Sequence, residues 1–202
     1  MLRIGITGGI GSGKSVVCEY FKRLQVPVYN ADDRSNVIID NDPEIREQLI
    51  AYFGPQAYLP TGLNRAFIRE IVFNNSQALS KLNSITHPVI FKNFDDWCHS
   101  KKKQKHEFII KEAALVFESD SYKFLDFIVC VVAPVKTRIA RVMHRDHKSI
   151  EEIEKILKKQ LPDAEKIKRS DYVIHNPNDE LLLPKIIELH KFISKKLSTY
   201  GQ

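Results

Sequence analysis

The chain has 202 residues and a mass of 23.3 kDa, a length typical of one globular domain. Hydrophobic residues make up 43% of the sequence and charged residues 28%, a balance that excludes a largely disordered chain. The net charge of +6 is compatible with anionic partners such as nucleotides, nucleic acid or anionic membranes, but it does not choose among them.

In chain order, the first predicted element is an apolar, β-branched strand at 1–7. Gly5 lies inside this strand and is expected to serve packing beneath the glycine-rich segment that follows. A helix is predicted over 14–24 and a second short strand at 26–29. The sequence from there to about residue 100 is mainly helical. Apolar faces at helical spacing predict segments near 43–53, 64–73, 76–82 and 88–99.

The second half of the chain begins with strand patterns at 107–110 and 127–132, and a helix near 135–145 follows. Ser149-x-x-Glu152 is a capping-box pattern that begins another helix, which extends to about Gln160. The remaining predicted elements are a short strand at 172–174 and a helix that begins near Asn178 or later, because of Pro184.

Strands separated by helices predict an α/β fold, in which helices cover both faces of a parallel sheet. The helical stretch between the second and third strands is too long for a simple crossover connection. It therefore predicts an inserted subdomain, in which Pro88 would suit the first turn of a helix.

The three cysteines, Cys18, Cys98 and Cys130, form no C-x-x-C pair and lie among apolar residues. We therefore predict buried, reduced thiols and no disulfide framework. Glycines interrupt the apolar N-terminus from residue 5 onward, and the longest apolar run, 127–135, is too short to span a bilayer. These features predict a cytoplasmic protein without a membrane partner.

Residues 8–15 match the phosphate-binding pattern G-x-x-x-x-G-K-[ST] completely, between a predicted strand and a predicted helix. Glycines let successive backbone N–H groups point inward around an anion, and the helix N-terminus adds partial positive charge. Lys14 is expected to reach the β and γ phosphates, and the Ser15 hydroxyl to ligate Mg²⁺. The predicted nucleotide-binding residues are Gly8, Gly9, Ile10, Gly11, Ser12, Gly13, Lys14, Ser15 and Val16.

The motif indicates a nucleoside triphosphate site but does not say what is done with the nucleotide. The sequence has no N-K-x-D segment of the kind that reads guanine, and it is too short for a long ATPase core. A small kinase that moves the γ-phosphate to a small acceptor is the remaining choice.

Four side chains outside the loop suit phosphoryl transfer. Asp32 follows the second strand and could take the proton of an attacking hydroxyl. The alternative is that this aspartate caps the N-terminus of a helix, although Asp33 is the better candidate for a cap. His87, in Thr-His-Pro at 86–88, either contacts the acceptor or is structural. Arg141 and Arg145 are four residues apart and therefore share one helix face. They could belong to a lid that neutralises the charge of the phosphoryl group, or they could form a solvated basic face.

These residues resemble the dephospho-coenzyme A kinase family over nearly the whole chain. The ordered set of matching segments makes the resemblance specific. In chain order they are T-G-G-I-G-S-G-K-S at 7–15, V-Y-N-A-D at 28–32, T-H-P at 86–88, A-L-V-F-E at 114–118, R-x-x-x-R-D at 141–146, Gln160, and S-D-Y-V-I-H-N at 170–176.

The resemblance implies a P-loop fold of three layers, α/β/α, within a single kinase domain at 1–202. Its core is expected at about 1–32, 104–137 and 168–202, a helical acceptor-binding insertion at about 33–103, and a short helical lid at about 138–167. The implied reaction uses ATP to phosphorylate the ribose 3′-hydroxyl of dephospho-coenzyme A. This reaction gives coenzyme A and ADP and is the last step of coenzyme A biosynthesis.

Residue roles follow from the same resemblance. Asp32 is the candidate general base, and Lys14 and Arg141 stabilise the moving phosphoryl group. The acceptor is expected to contact Asp32, Arg65 and His87. The nucleotide is expected to contact Arg145 and Asn176, and Asn176 is expected to lie near the adenine. The metal is expected at Ser15 and Glu112.

The chain departs from the family pattern at three positions. Asn30 stands where Asp is common, which leaves Asp32 as the carboxylate of that segment, and activity is expected to survive. Glu112 stands where Asp often lies and could hold Mg²⁺ through water, and Ala114 replaces the usual Pro.

Two other functions stay open from the sequence. One is a nucleoside or nucleoside-monophosphate kinase with the same loop and lid. The other is a nucleotide-gated protein that binds nucleic acid. The basic run Lys101–Lys105 is expected to be a solvated turn, with an anion contact as the alternative. It lacks the interleaved aromatic residues that a base-stacking surface needs, so we expect no nucleic-acid partner. We expect a monomer or a weak homo-oligomer.

Overall fold

The structure is a computed structural model that describes residues 1–73, 75–178 and 180–200. It divides into two compact units. The sheet unit comprises residues 1–30 and the chain from residue 101 onward, and the helical unit comprises residues 31–100.

The sheet unit is built on five parallel strands, numbered here in chain order. Their spatial order is β2 (Val28–Asn30), β5 (Phe108–Glu112), β1 (Leu2–Thr7), β6 (Phe127–Val132) and β7 (Tyr172–His175). In the register of the sheet, Glu112 lies beside both Ile6 and Asn30. The carboxyl ends of these three strands therefore meet at one edge, where the glycine-rich loop leaves β1.

The main core lies on one face of the sheet, against α1 (Lys14–Arg23) and α9 (Leu182–Tyr200). Alternate residues of a strand point to the same face, so Ile4 and Ile6 both enter this core and are fully buried. Phe21 of α1 and Leu189 of α9 are fully buried with them. Gly5 points to the other face, where the Leu125 side chain occupies the space of a β-carbon. Gly5 therefore leaves room for the Leu125 side chain, which agrees with a packing role.

Three helices lie between β6 and β7 in the chain: α6 (Val135–Asp146), α7 (Ile150–Lys159) and α8 (Asp163–Lys168). The capping box at the start of α7 is present as predicted. The Ser149 hydroxyl accepts the N–H of Glu152 at 3.2 Å, and the Glu152 carboxylate accepts the N–H of Ser149 at 2.9 Å. The sequence analysis missed α8, whose six residues are too few to show a helical period.

A buried lysine attaches α8 to the sheet unit. Lys166 is fully buried, and its ammonium group lies 3.5 Å from the Glu118 carboxylate and 3.4 Å from the Ala114 carbonyl oxygen. Glu118 also accepts the N–H of Leu161 at 2.8 Å. Glu118, in the segment 114–118 noted in the sequence, therefore binds both the connection before α8 and α8 itself.

The helical unit contains α2 (Ala31–Asn41), α3 (Pro43–Phe53), a two-stranded hairpin of β3 (Tyr58–Leu59) and β4 (Gly62–Leu63), α4 (Arg65–Phe73) and α5 (Ser76–Lys103), whose last turn belongs to the sheet unit. Its apolar cluster includes Ile45, Leu49, Ile68 and Ile85. The predicted helices at 43–53 and 64–73 agree closely with α3 and α4. The sequence analysis gave no bounds for α2 and missed the hairpin, because α2 buries a single residue and each hairpin strand has two.

The prediction of two helices at 76–82 and 88–99 was wrong, because α5 is continuous through Pro88. Proline lacks the N–H that would bond to the carbonyl of Ser84, a loss of about 3 kcal/mol or more in a helix interior. Apolar residues are buried on both sides of this position, including Ile85 before it and Phe94 after it. Packing along the whole helix outweighs the local preference for a break.

All three cysteines are buried and carry free thiols, as predicted.

Lys101, Lys102 and Lys103 form the last turn of α5, where basic side chains complement the negative end of the helix dipole. The predicted turn therefore begins after these lysines. Within the described ranges, the helices include none with the length and hydropathy needed to cross a membrane.

The capping box generates the first prediction. Ser149→Ala is expected to lower the free energy of unfolding by about 1 kcal/mol, because the N–H of Glu152 loses its partner. Urea unfolding followed by circular dichroism measures this change. Ser80→Ala, an exposed position inside α5, is the matched control and is expected to be neutral or slightly stabilising. Equal effects of the two substitutions would contradict the capping role.

Candidate active site

The glycine-rich loop adopts a conformation that two of its glycines make possible. Gly13 caps the N-terminus of α1 with φ +105°, and Gly11 has φ +74°, both in the left-handed region that side chains disfavour. A β-carbon on Gly13 would collide with the Asn176 amide, and one on Gly11 would lie 2.7 Å from the carbonyl oxygen of Arg138. Glycine is therefore required at both positions by conformation and by space.

The carbonyl oxygens of the loop are bound by side chains. Lys14 Nζ donates to the carbonyls of Gly8 and Gly9 at 2.9 and 3.0 Å. Asn176 Nδ2 donates to the carbonyl of Ser12 at 2.8 Å. Because a peptide unit is planar and trans, this bond turns the N–H of Gly13 away from Asn176. The loop thus has the backbone orientation needed for an anion site at the N-terminus of α1.

Arg141 of α6 also binds the loop and the segment after β7. Its guanidinium donates to the Gly11 carbonyl at 3.4 Å, to the Asn176 carbonyl at 3.2 Å and to the Asn178 side chain at 3.0 Å. These contacts join α6 to the loop and to the segment after β7. The buried hydroxyl of Ser12, at the centre of this region, has no hydrogen-bond partner among the described residues.

Arg145 is held by its neighbour in the sequence. Its guanidinium makes two hydrogen bonds to the Asp146 carboxylate, at 2.6 and 2.9 Å. Hydrogen bonding between the two side chains raises the pKa of Arg145 and lowers the pKa of Asp146. More than half of the Arg145 side chain is exposed, so the observed geometry places it in a surface ion pair.

The predicted metal residues lie together. Ser15 Oγ donates to Glu112 Oε1 at 3.0 Å, and Asn30 lies beside Glu112 in the sheet. A hydroxyl and a carboxylate offer the hard oxygen ligands that Mg²⁺ prefers, so these residues fit the metal. Burial and the nearby Glu112 carboxylate raise the pKa of the Cys18 thiol well above its usual range.

Two cavities adjoin this region of the sheet unit. The first, of about 560 Å³, lies between α1 and α9 and is lined by Val16, Tyr20 and Leu183 among others. The second, of about 480 Å³, lies at the ends of β6 and β7 and is lined by Asp163, Asn176 and others. Two predicted nucleotide contacts, Val16 and Asn176, therefore face different cavities.

The predicted acceptor residues lie in the helical unit. Asp32 is exposed in the first turn of α2, where the helix dipole stabilises its negative charge. Asp33 lies inside the same turn, so neither aspartate is the residue before the helix. His87 is half-buried in α5, with its ring centre 5.3 Å from that of Phe91.

Arg65 is fixed by Asp40, a residue that the sequence analysis missed. Two guanidinium nitrogens of Arg65 donate to the two carboxylate oxygens of Asp40, each at 2.9 Å. Asp40 also accepts the N–H of Leu63 at 2.9 Å, and its carboxylate lies where a β-carbon on Gly62 would be. Hydrogen bonding to Arg65 lowers the pKa of the Asp40 carboxyl. A lone aspartate in a helical pattern gave no signal of this pairing.

Two further contacts of the loop were also missed as site residues. Gln160 Oε1 accepts the N–H of Ile10 at 3.0 Å, although the family resemblance did point to Gln160. The buried guanidinium of Arg138 lies where a side chain on Gly9 would begin. A sequence signal existed for Arg138, since it precedes Arg141 by about one helical turn.

Comparison with known proteins gives consistent matches. The family model described as dephospho-CoA kinase matches residues 2–181. A dephospho-CoA kinase from Bacteroides fragilis is 37% identical over 97% of this chain and 95% of its own. A solved dephospho-CoA kinase from Campylobacter jejuni has a TM-score of 0.70 at 28% identity, with 96% and 98% of the two chains covered. A Thermus thermophilus structure, TT1252, reaches a TM-score of 0.81 at 28% identity and 97% coverage of both chains.

The Asp40–Arg65 pair predicts a pH-dependent contribution to stability. Asp40→Asn is expected to lower the free energy of unfolding at neutral pH by about 1 kcal/mol, after discounting for solvent screening. The folded pKa lies below the ordinary value of 3.8, so the contribution is present above that value and disappears as pH falls through the lowered pKa.

Urea unfolding of wild type and Asp40→Asn across an acidic pH series measures this difference. Glu47→Gln, an exposed carboxylate on α3, is the control and is expected to show no such pH-dependent gap. A gap between wild type and Asp40→Asn that stays constant down to the most acidic pH would contradict the role of the Asp40 charge.

Proposed function

The chain belongs to the dephospho-CoA kinase family, and from this premise we propose how its residues divide the work of the reaction. The reaction is the ATP-dependent phosphorylation of the ribose 3′-hydroxyl of dephospho-coenzyme A, which yields coenzyme A and ADP in the last step of coenzyme A biosynthesis. The family match over residues 2–181, together with the geometry of the phosphate loop, carries this conclusion.

The sheet unit binds the phosphoryl donor. The β and γ phosphates of ATP lie in the loop 8–15, where the backbone N–H groups and the N-terminus of α1 provide partial positive charge. Lys14 moves from the Gly8 and Gly9 carbonyls to the phosphate oxygens, which are stronger acceptors because they are charged. Arg141 lies close enough to the loop to share the charge that develops on the moving group.

Asp32 acts as the general base. Its carboxylate orients the ribose 3′-hydroxyl and takes its proton as the new oxygen–phosphorus bond forms and the bond to ADP breaks. Asn30, two residues earlier, supplies no second carboxylate, so this role falls on Asp32 alone within the segment 28–32.

Ser15 and Glu112 would hold Mg²⁺, directly or through water. When bound, the metal neutralises phosphate oxygens during transfer. The longer Glu112 side chain still reaches the Ser15 hydroxyl, which supports its use in place of the aspartate common at this position.

The helical unit provides the acceptor site. Arg65 presents a guanidinium whose position Asp40 and Asn36 fix, and a fixed cation suits the pyrophosphate of dephospho-coenzyme A. His87 contributes a second polar contact. Arg145 and Asn176 stay predicted nucleotide contacts, and the segment 138–167 stays the predicted lid.

The acceptor specificity is tested by an ADP-release assay with Mg-ATP. Dephospho-coenzyme A is expected to stimulate ADP release strongly, whereas AMP, CMP and free nucleosides are expected to give little. Preferential turnover of a nucleoside or a nucleoside monophosphate would instead indicate a nucleoside or nucleoside-monophosphate kinase. Absence of any acceptor-dependent ADP would overturn the proposed function.

The base is tested by Asp32→Asn. This change is expected to lower kcat by about 10²-fold or more, because the amide cannot accept the hydroxyl proton. ATP affinity, measured by isothermal titration calorimetry, is expected to stay close to that of wild type. Asp33→Asn removes a carboxylate that is also exposed, at the next position, and is the matched control. Equal turnover of Asp32→Asn and wild type would exclude Asp32 as the base.

A further inference from the structure

Arg138 is a buried cation that the reaction described above does not use. It lies in the first turns of α6 and is 5% exposed. One guanidinium nitrogen lies 3.2 Å from the Asp163 carboxylate at the start of α8. The Nε of the same side chain is buried and has no hydrogen-bond partner among the described residues. Burying a guanidinium with a donor left over is costly, so the placement calls for an explanation.

The guanidinium lies against the phosphate loop. A β-carbon on Gly9 would collide with Arg138 Nη1, would lie 3.0 Å from its Cζ, and would lie 3.4 Å from Gln160 Oε1. The φ of Gly9 is outside the left-handed region occupied by Gly8, Gly11 and Gly13. Glycine at position 9 therefore leaves the space that the Arg138 guanidinium occupies, and its backbone conformation by itself would admit other residues.

The neighbours of Arg138 also act on this part of the loop. Gln160, three residues before Asp163, accepts the N–H of Ile10. The Asp163 carboxylate binds the Arg138 nitrogen other than the one beside Gly9, so the positive group of the ion pair faces the loop. Residues 9 and 10 are thus enclosed by α6 and by the connection between α7 and α8.

We propose that Arg138 is a positioning residue for ATP binding. Its guanidinium fixes the Gly9–Ile10 peptide and, with Gln160, holds the front half of the loop in the shape that receives the triphosphate. Asp163 keeps the guanidinium in place, and the charge beside the loop favours the bound polyanion. This inference rests on ATP as the phosphoryl donor and goes beyond the roles of Lys14 and Arg141.

The first test is Arg138→Gln. We expect the KM for ATP to rise about tenfold, because a loop displaced by a fraction of an ångström loses well-aligned phosphate contacts. The KM for dephospho-coenzyme A is expected to stay unchanged, and kcat to change much less than the KM for ATP. Arg138→Lys, which keeps the charge, is expected to restore part of the ATP affinity. Lys136→Gln removes a charge from an exposed position of the same helix and serves as the control.

The second test uses Gly9→Ala, which keeps Arg138 but forces its guanidinium away. The same rise in KM for ATP is expected. In the double variant Gly9→Ala/Arg138→Gln, the space is vacated, and the effect is expected to be no larger than that of Arg138→Gln alone. Additive effects of the two substitutions would overturn the proposal, as would an ATP affinity of Arg138→Gln within about twofold of wild type.

Calorimetric titration with ATP alone separates this proposal from the proposed function, because it needs no acceptor. If wild type binds ATP but transfers nothing to dephospho-coenzyme A, the proposed reaction fails while the Arg138 comparison stands. Circular dichroism establishes that each variant is folded. Should Arg138→Gln not fold, Gly9→Ala and Arg138→Lys decide the matter, and unchanged ATP affinity in both would overturn the proposal.

Discussion

A loop can offer its N–H groups to an anion when its carbonyl oxygens are bound to donors on the other side of the peptide planes. In this protein Lys14, Arg141 and Asn176 bind the carbonyls of residues 8, 9, 11 and 12. These donors come from α1, α6 and the segment after β7, which are far apart in the sequence. The phosphate site is therefore a property of the folded sheet unit, even though its sequence motif consists of eight consecutive residues.

The glycines of the loop also depend on parts of the chain that are distant in the sequence. Gly11 and Gly13 adopt backbone angles that other residues disfavour, and they also admit the Arg138 carbonyl and the Asn176 amide. Gly9 needs no unusual angle, yet it admits a guanidinium. Close approach of α6 and of the segment after β7 is thus one reason for glycine at these positions.

Buried charges connect the segment 138–167 to the rest of the sheet unit. Lys166 and Arg138 are both buried, and each has an acidic partner, Glu118 and Asp163 respectively. Such pairs add little net stability because desolvation offsets their attraction, but they allow few alternative arrangements. Of the two pairs, Arg138–Asp163 lies beside the loop, which agrees with the positioning role proposed for Arg138.

By itself, the sequence determined the parallel α/β architecture, the phosphate motif, the capping box of α7 and the family. Local chemistry suffices for the first three, since period, glycine spacing and turn residues act over a few neighbours, whereas the family followed from the order of matching segments along the chain. Tertiary structure decided that α5 continues through Pro88, because burial on both sides of the proline outweighs one lost hydrogen bond. It also decided that Asp40 holds Arg65 and that Arg138 encloses Gly9. The residues of these two pairs are 25 and 129 positions apart in the sequence. A short sequence pattern does not indicate which distant side chains will be in contact in a buried or half-buried region.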